Sequence, residues 1–386
     1  MPFYDRACDV LGIKRFDYEP TQSPDPAHPA LRLNEEKGIT TSTRHMSPVS
    51  GRVTDGPAFN DYLDGVIDDP VIDLYTHANV VDLVMNEAGS AVESLKVATL
   101  RKNTFTVRAK RFILATGGIE NARLLLLANS TQPEGIGNQH GLVGRYFSGH
   151  MTIQNNSLLY FTNIAQSLRL YIGRNLNDTW GVLKTTKTLQ AKHRLPNATL
   201  TLGQGPSRLR SSDEAILKSA YLADGRMKEP DLSGFNVRGN YLSVYLMSEE
   251  APNAESRVSL NDERDALGLR RVQLDWKFTS VDLDAVMKSF ELFAREFGAS
   301  GMGRMKSVHK RNEVLVNAGM SSHHIGTTRM DDDPQRGVVD TDCKVHGVDN
   351  LYVAGSSVFP SAGIVNPTLT IIALGLKLCS HLRGQD

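Results

Sequence analysis

The sequence predicts an α/β fold combined with an α+β region, on three observations. Arg111-Phe112-Ile113-Leu114-Ala115 is an apolar run of strand length that stops at Thr116-Gly117-Gly118 and gives way to an apolar helical stretch from Ile119 to Asn129. A strand, a tight Gly-rich turn and a helix in that order form an α/β unit. Between about Met151 and Met320 the pattern changes to longer strands and wider loops. Near the end, Leu351-Tyr352-Val353-Ala354-Gly355 reads as a short strand, and a long apolar helix follows from Leu369 to Leu382.

The elements follow in order. Tyr4 to Gly12 reads as a short helix with Ala7, Val10 and Leu11 on one side and Gly12 as its stop. From Asp17 to Gly51 the Pro, His, Ser and Thr content rises and periodicity disappears, which predicts loop. Val71 to Leu74, Ala78 to Val84, Leu95 to Ala98 and Phe105 to Val107 read as short strands, with a turn at Asn86-Glu87-Ala88-Gly89. Val258 and Leu260 lead through a charged turn, Asp262 to Asp265, into Val272, Leu274 and Trp276, the pattern of a hairpin. Leu283, Val286, Met287, Phe290, Phe293, Ala294 and Phe297 repeat at helical spacing up to Gly298; that stripe is core packing. No internal repeat is visible, which sets solenoids and propellers aside.

Composition narrows the class. Lys plus Arg and Asp plus Glu both number 43 in 386 residues, so no net field draws the chain to nucleic acid or to an acidic membrane. Three cysteines, Cys8, Cys343 and Cys379, are too few and too scattered for a disulfide framework, and no Cys/His spacing suggests a metal site. No apolar run reaches the ~18 residues of a spanning helix, and Met1 to Lys14 is not a signal peptide, so a cytoplasmic location is expected.

The chemistry concentrates near the C-terminus. His323 and His324 run into Gly326-Thr327-Thr328-Arg329-Met330, and Asn366-Pro367-Thr368 opens the last helix. Read locally, Asn366 is a preferred N-cap and Pro367 a preferred first helical residue. Read functionally, the free N–H groups of that helix start suit an anion. A neutral imidazole suits the removal of a hydroxyl proton, and the Asn366 amide can orient the same oxygen.

This ensemble, from the His pair through Asn366-Pro367-Thr368-Leu369-Thr370 to Leu376-Lys377-Leu378, resembles the C-terminal signature of the glucose-methanol-choline (GMC) flavoprotein oxidoreductases. In that family a His, and a second His or Asn 43 residues on, flank the reactive edge of FAD, and the same spacing separates His323 from Asn366. Aligning Gly326-Thr327 with the family's Gly-Thr selects His323 as the base and leaves His324 one position too late. The resemblance implies oxidation of a sugar, polyol or other secondary alcohol by hydride transfer to FAD. It places Pro367 and Thr368 beneath the flavin's pyrimidine edge. Thr116, Gly117, Gly118 and Asn121 resemble the region near the pyrophosphate and ribose. Val80 aligns with a main-chain contact to adenine, and Gly355-Ser356 with the segment under the flavin phosphate side.

A dinucleotide fold should open with a strand and GxGxxG. Nothing before Tyr75 offers this, and Gly135-Ile136-Gly137 and Gly301-Met302-Gly303 follow no buried strand. The expected architecture is therefore an incomplete FAD-binding, Rossmann-like domain from residues 70–150 and 331–386, with a sheet-and-helix substrate domain at 151–330 inserted, and residues 1–69 forming an N-terminal helix and extended loop. The phosphate-binding half is expected from a second polypeptide, unless it was lost. The rival expectation, from a different class, is a GMC-derived remnant without redox chemistry, acting as a binding or structural subunit.

Overall fold

The computed structural model describes residues 2–13, 30–31, 33, 38–45, 64–153, 157–161, 168–172, 179–203, 241–307, 314, 318–320 and 322–384. Two hydrophobic cores organise them, one on a large antiparallel sheet and the other around a small parallel one.

The large sheet has eight strands. Along its main path lie β1 (Ile39–His45), β8 (Thr179–Thr185), β9 (Ala198–Gly203), β10 (Tyr241–Glu249), β6 (His150–Ile153) and β14 (Ala318–Met320). β7 (Ser157–Phe161) pairs with β10 and with β13 (Gly303–Ser307). β10 is long enough to hold β6 along Leu246 to Glu249 and β7 along Tyr241 to Ser243. The core on this sheet includes Val286, Phe290, Phe293 and Phe297 of the helix Ser280–Ala299, which confirms the aromatic stripe as packing. That helix starts on a capping box: the Thr279 side chain accepts from the Asp282 N–H, and the Asp282 carboxylate accepts from the Thr279 N–H. It runs past Gly298 to Ala299.

β1 corrects the expectation of loop between Asp17 and Gly51. Ile39, Thr41 and Thr43 are buried while Thr40, Ser42 and Arg44 are partly exposed, the period-two alternation of a strand. β-branched side chains fit that pleated surface, so the Thr content marks a strand here and not a loop. β1 pairs antiparallel with β8 from Ile39↔Thr185 to His45↔Thr179. Most of the remaining expected loop lies outside the described residues.

The second core gathers Phe112 and Leu114 of β5 (Phe112–Leu114), Leu351, Tyr352 and Val353 of β15 (Leu351–Val353), and Ala122, Leu124 and Leu125 of the helix Gly117–Leu127. β5 and β15 pair in parallel, Leu351↔Phe112 to Val353↔Leu114, as a two-stranded sheet. Its flank is a three-stranded antiparallel sheet of β2 (Asn79–Met85), β3 (Val92–Ala98) and β4 (Thr104–Val107). Val71 to Leu74, expected as a strand, forms none: it pairs with nothing among the described residues, and its side chains are exposed.

The hairpin of β11 (Arg257–Arg264) and β12 (Arg270–Asp275) turns later than its charge run suggested. Asp265 Oδ1 accepts from the N–H groups of Leu267 and Leu269, so the turn is built on Asp265 to Gly268. Arg123 Nη2 holds the hairpin to the helix Gly117–Leu127 through Asp265 Oδ2 at 2.6 Å. The four longer helices are hereafter α1 (Pro2–Leu11), α2 (Gly117–Leu127), α3 (Ser280–Ala299) and α4 (Thr368–Arg383). α1 packs on α4, where Tyr4 Oη and Thr370 Oγ1 lie 3.1 Å apart.

Candidate active site

Two antiparallel segments bring the histidines together. Ser148 and Ile325 exchange both backbone hydrogen bonds at 3.0 Å, just before β6. Two residues further in opposite directions along such a pair stand His150 and His323, on the same face. Their Nδ1 atoms are 3.0 Å apart and the rings meet edge to face at 75°. His150 is fully buried, and its Nε2 lies 3.2 Å from the carbonyl oxygen of Ala362. His323 is half-buried, and its Nε2 lies 3.2 Å from Asn366 Nδ2. Asn366 is exposed, so the outer end of this chain of contacts faces solvent.

Burial favours the neutral form of both rings. Burial, foremost, lowers His150 to about 4; the Ala362 carbonyl opposes this, and the charges of His323 and Arg44 add to it. Burial also lowers His323, helped by His324 and Arg44. Arg44, on β1, donates through Nη2 to Thr199 Oγ1 at 2.9 Å, while its Nε is enclosed without a hydrogen-bond partner. Behind His150, Glu250 Oε1 accepts from the Gly149 N–H and Oε2 from Trp276 Nε1 at 3.0 Å. Burial raises Glu250 to about 7, with Asp282 adding to the rise and these two hydrogen bonds opposing it.

His324 is turned to a different neighbour. Its ring lies 5.8 Å from that of Phe147, and its carbonyl accepts from Ser356 Oγ at 2.7 Å. Gly118 makes room for that carbonyl, since a Cβ there would fall 2.2 Å from it.

The glycines expected on the cofactor side lie where the two parallel strands end. Gly117 (φ 91°) follows β5, and Gly355 (φ 125°) follows β15. The crevice beyond the carboxyl ends of parallel strands is where open α/β sheets take ligands. A Cβ on Gly117 would meet nothing within 4 Å, so the space beside the turn is open. Neither α2, with Thr116 at its cap position, nor α4, with Pro367, begins on a side-chain cap hydrogen bond. The surroundings thus fit an anionic, flat group such as a flavin dinucleotide.

Other expected site residues are occupied. Asn121 is buried: its Oδ1 accepts from Thr116 N and Oγ1, and its Nδ2 donates to Ala354 O and Ser357 Oγ, so its side chain ties β5 to β15. Ser356 Oγ is held by His324. Val80 pairs with Val97 and packs on the second core. Asn366 does not cap α4: Pro367 takes the cap position and Thr368 begins the helix, which leaves the Asn366 amide to His323. Sequence reasoning missed His150, Arg44 and Glu250. The alternation in Ile39 to His45 could have flagged Arg44; a single His at a strand start carries no comparable signal.

Residues 252–375 match the profile of a family described as GMC oxidoreductase. The chain is 27% identical over 321 residues to the 2-methyl-1,2-propanediol dehydrogenase of Mycolicibacterium austroafricanum, covering 80% of this chain and 54% of that protein. It is 25% identical over 309 residues to the fructose dehydrogenase large subunit of Gluconobacter japonicus, covering 77% and 52%. The solved structure of pyridoxine 4-oxidase from Mesorbium loti aligns with a TM-score of 0.58 at 17% identity, over 99% of this chain and 69% of that one, a likeness of fold. The chain spans about half the length of the curated relatives it matches. Among the described residues no helix is long and apolar enough to cross a membrane.

Proposed function

With residues 252–375 belonging to the GMC oxidoreductases, we propose that this chain is the proton-handling portion of an FAD-dependent enzyme that oxidises a sugar, polyol or other secondary alcohol. The observation that carries the reading is the bare edge of His323, 3.2 Å from the Asn366 amide and open to solvent. A hydroxyl that displaces this contact donates its proton to His323 Nε2 and accepts from Asn366 Nδ2, which fixes its carbon for loss of hydride. FAD, when bound, supplies the acceptor for that hydride. His323 serves as a base because burial first, then the charges of His324 and Arg44, lower its pKa and so favour the neutral ring. The start of α4 at Pro367 and Thr368 places partial positive charge beside the reacting edge.

Residues 70–150 and 331–386 hold the cofactor in this reading, and 151–330 shape the substrate pocket. Thr116, Gly117, Gly118, Gly355 and Ser356 offer main-chain approach at the strand ends, with Val80 toward the adenine and Asn121 acting as the tie behind the turn. The GxGxxG strand, turn and helix come from a second polypeptide or another segment, since the sequence contains none.

The test is anaerobic mixing of the flavin-loaded protein with a panel of sugars and polyols, following the visible flavin absorbance. Bleaching by an alcohol, abolished in His323→Ala, is the expected result. A protein that takes up no FAD with any partner supplied would overturn the reading in favour of a non-redox remnant.

A further inference from the structure

The hydrogen-bond roles along Ala362, His150, His323 and Asn366 are mutually determined. A carbonyl oxygen only accepts, so the contact at 3.2 Å requires a proton on His150 Nε2. A neutral His150 then has a bare Nδ1. The Nδ1–Nδ1 contact at 3.0 Å needs one proton between the rings, and it must sit on His323 Nδ1. A neutral His323 is left with a bare Nε2, which is the atom the Asn366 amide approaches with its NH2 group at 3.2 Å. Both ring N–H groups, and the Asn366 N–H that faces His323, meet an acceptor in this arrangement. Starting from the other His323 tautomer, two bare Nδ1 atoms would face each other and the Asn366 amide would have to turn around.

We propose that His150 is a positioning residue that selects the His323 tautomer with a bare Nε2 facing Asn366. His150 touches neither the solvent-facing edge nor Asn366; it acts through His323, and the inference rests on His323 being the base. Its own place is built from three sides. The Ser148–Ile325 bridge fixes the segment, β6 pairs His150 with Glu249, and the Glu250 carboxyl holds the Gly149 N–H. Among the described residues, the charged and titratable groups that act on the two rings include Arg44 from β1 and His324 from the adjoining segment, and Arg44 also acts on Tyr245 of β10. A base that offered a protonated nitrogen to the hydroxyl could not take its proton, so the ring's orientation and tautomer matter as much as its pKa.

Two variants separate this role from mere packing. His150→Asn keeps an acceptor oxygen near the Nδ1 position, whereas His150→Leu keeps bulk and removes the acceptor. On the 15N-histidine-labelled full chain, long-range proton–nitrogen correlation identifies the His323 signals as those lost in His323→Ala. The expected result is a proton on Nδ1 and a bare Nε2 in the parent and in His150→Asn, with a shift toward the Nε2-protonated form in His150→Leu. In the flavin-loaded enzyme, His150→Leu should lower kcat about 10- to 100-fold, the usual size of an effect transmitted through a ligand's hydrogen-bond partner. KM should change little, and His150→Asn should recover most of the loss. A parent protein with His323 protonated at Nε2 would overturn the proposal even if His150→Leu does not fold. So would a folded His150→Leu that keeps both tautomer and kcat. A bare Nε2 combined with full turnover in His323→Ala would instead retain the tautomer selection and refute His323 as the base.

Discussion

The two ends of the candidate site differ in how far the chain supports them. At the histidine end, His323 is held by a buried His150, which is held in turn by a carbonyl and by a strand register, and Arg44 stands close by. At the expected cofactor end, β5 and β15 form a sheet of two strands among the described residues, Ile113 between its buried neighbours is 47% exposed, and Val71, just before β2 in sequence, is 87% exposed. One end is closed on its inner side by its own residues and reaches solvent at Asn366; the other presents apolar surface and helix starts without side-chain caps. Chemistry that depends on a few side chains can be complete within one chain, while a dinucleotide surface needs a wide sheet.

The largest effect expected concerns the closed end. His323→Ala should lower turnover about 10²- to 10⁴-fold, the range of general base catalysis, while leaving flavin bound. His324→Ala should lower it far less, because that ring faces Phe147. Equal losses in steady-state assays of the two variants would break the distinction between the neighbours.

Gly118→Ala joins the two ends and should fail structurally. Its Cβ would fall 2.2 Å from the His324 carbonyl, a backbone atom that can move only with the whole segment. A loss of about 3 kcal/mol in a denaturant titration is expected, at the upper end of overpacking costs. Wild-type stability would show that the turn and the His segment are not in contact.

A smaller, pH-dependent effect comes from Glu250. Its folded pKa is raised from 4.5 to about 7, so the folded state holds a proton that the unfolded chain has released. That contribution is full below pH 4.5 and is lost as pH rises toward 7. His150 works in the opposite sense: lowered from 6.5 to about 4, it contributes above 6.5 and loses that contribution as pH falls toward 4. Glu250→Gln should therefore gain stability relative to the parent between pH 5 and pH 8, on the order of 2 kcal/mol. Thermal melts at both pH values measure it, and a constant difference would contradict the burial of an ionisable Glu250.

Ile113→Glu should do the least to the isolated chain, within about 0.5 kcal/mol for an exposed position. It should nevertheless reduce flavin uptake when a phosphate-binding partner is supplied, which distinguishes an idle surface from one that is covered in the working protein.

The same contrast explains what was legible in the sequence. Val286, Phe290, Phe293 and Phe297 repeat along one helix face, and β5, its glycine turn and α2 follow one another, so local periodicity revealed them. β1 was lost because Thr and Ser serve both loops and strands, and only its pairing with β8 decides between them. Val71 to Leu74 showed the reverse error, since an apolar run needs a partner strand and finds none among the described residues. The approach of His323 to Asn366 followed from the spacing of a resembling family. His150 did not, because its role arises from an antiparallel bridge between segments far apart in sequence.

In the proposed function this chain carries the proton-handling apparatus and only part of the FAD surface. Flavin per polypeptide tests it most directly, measured on the 386-residue chain expressed alone and together with a polypeptide carrying the GxGxxG strand, turn and helix. Little FAD on the chain alone and one FAD per chain in the presence of that partner is the expected result. Stoichiometric FAD on the chain alone would contradict it.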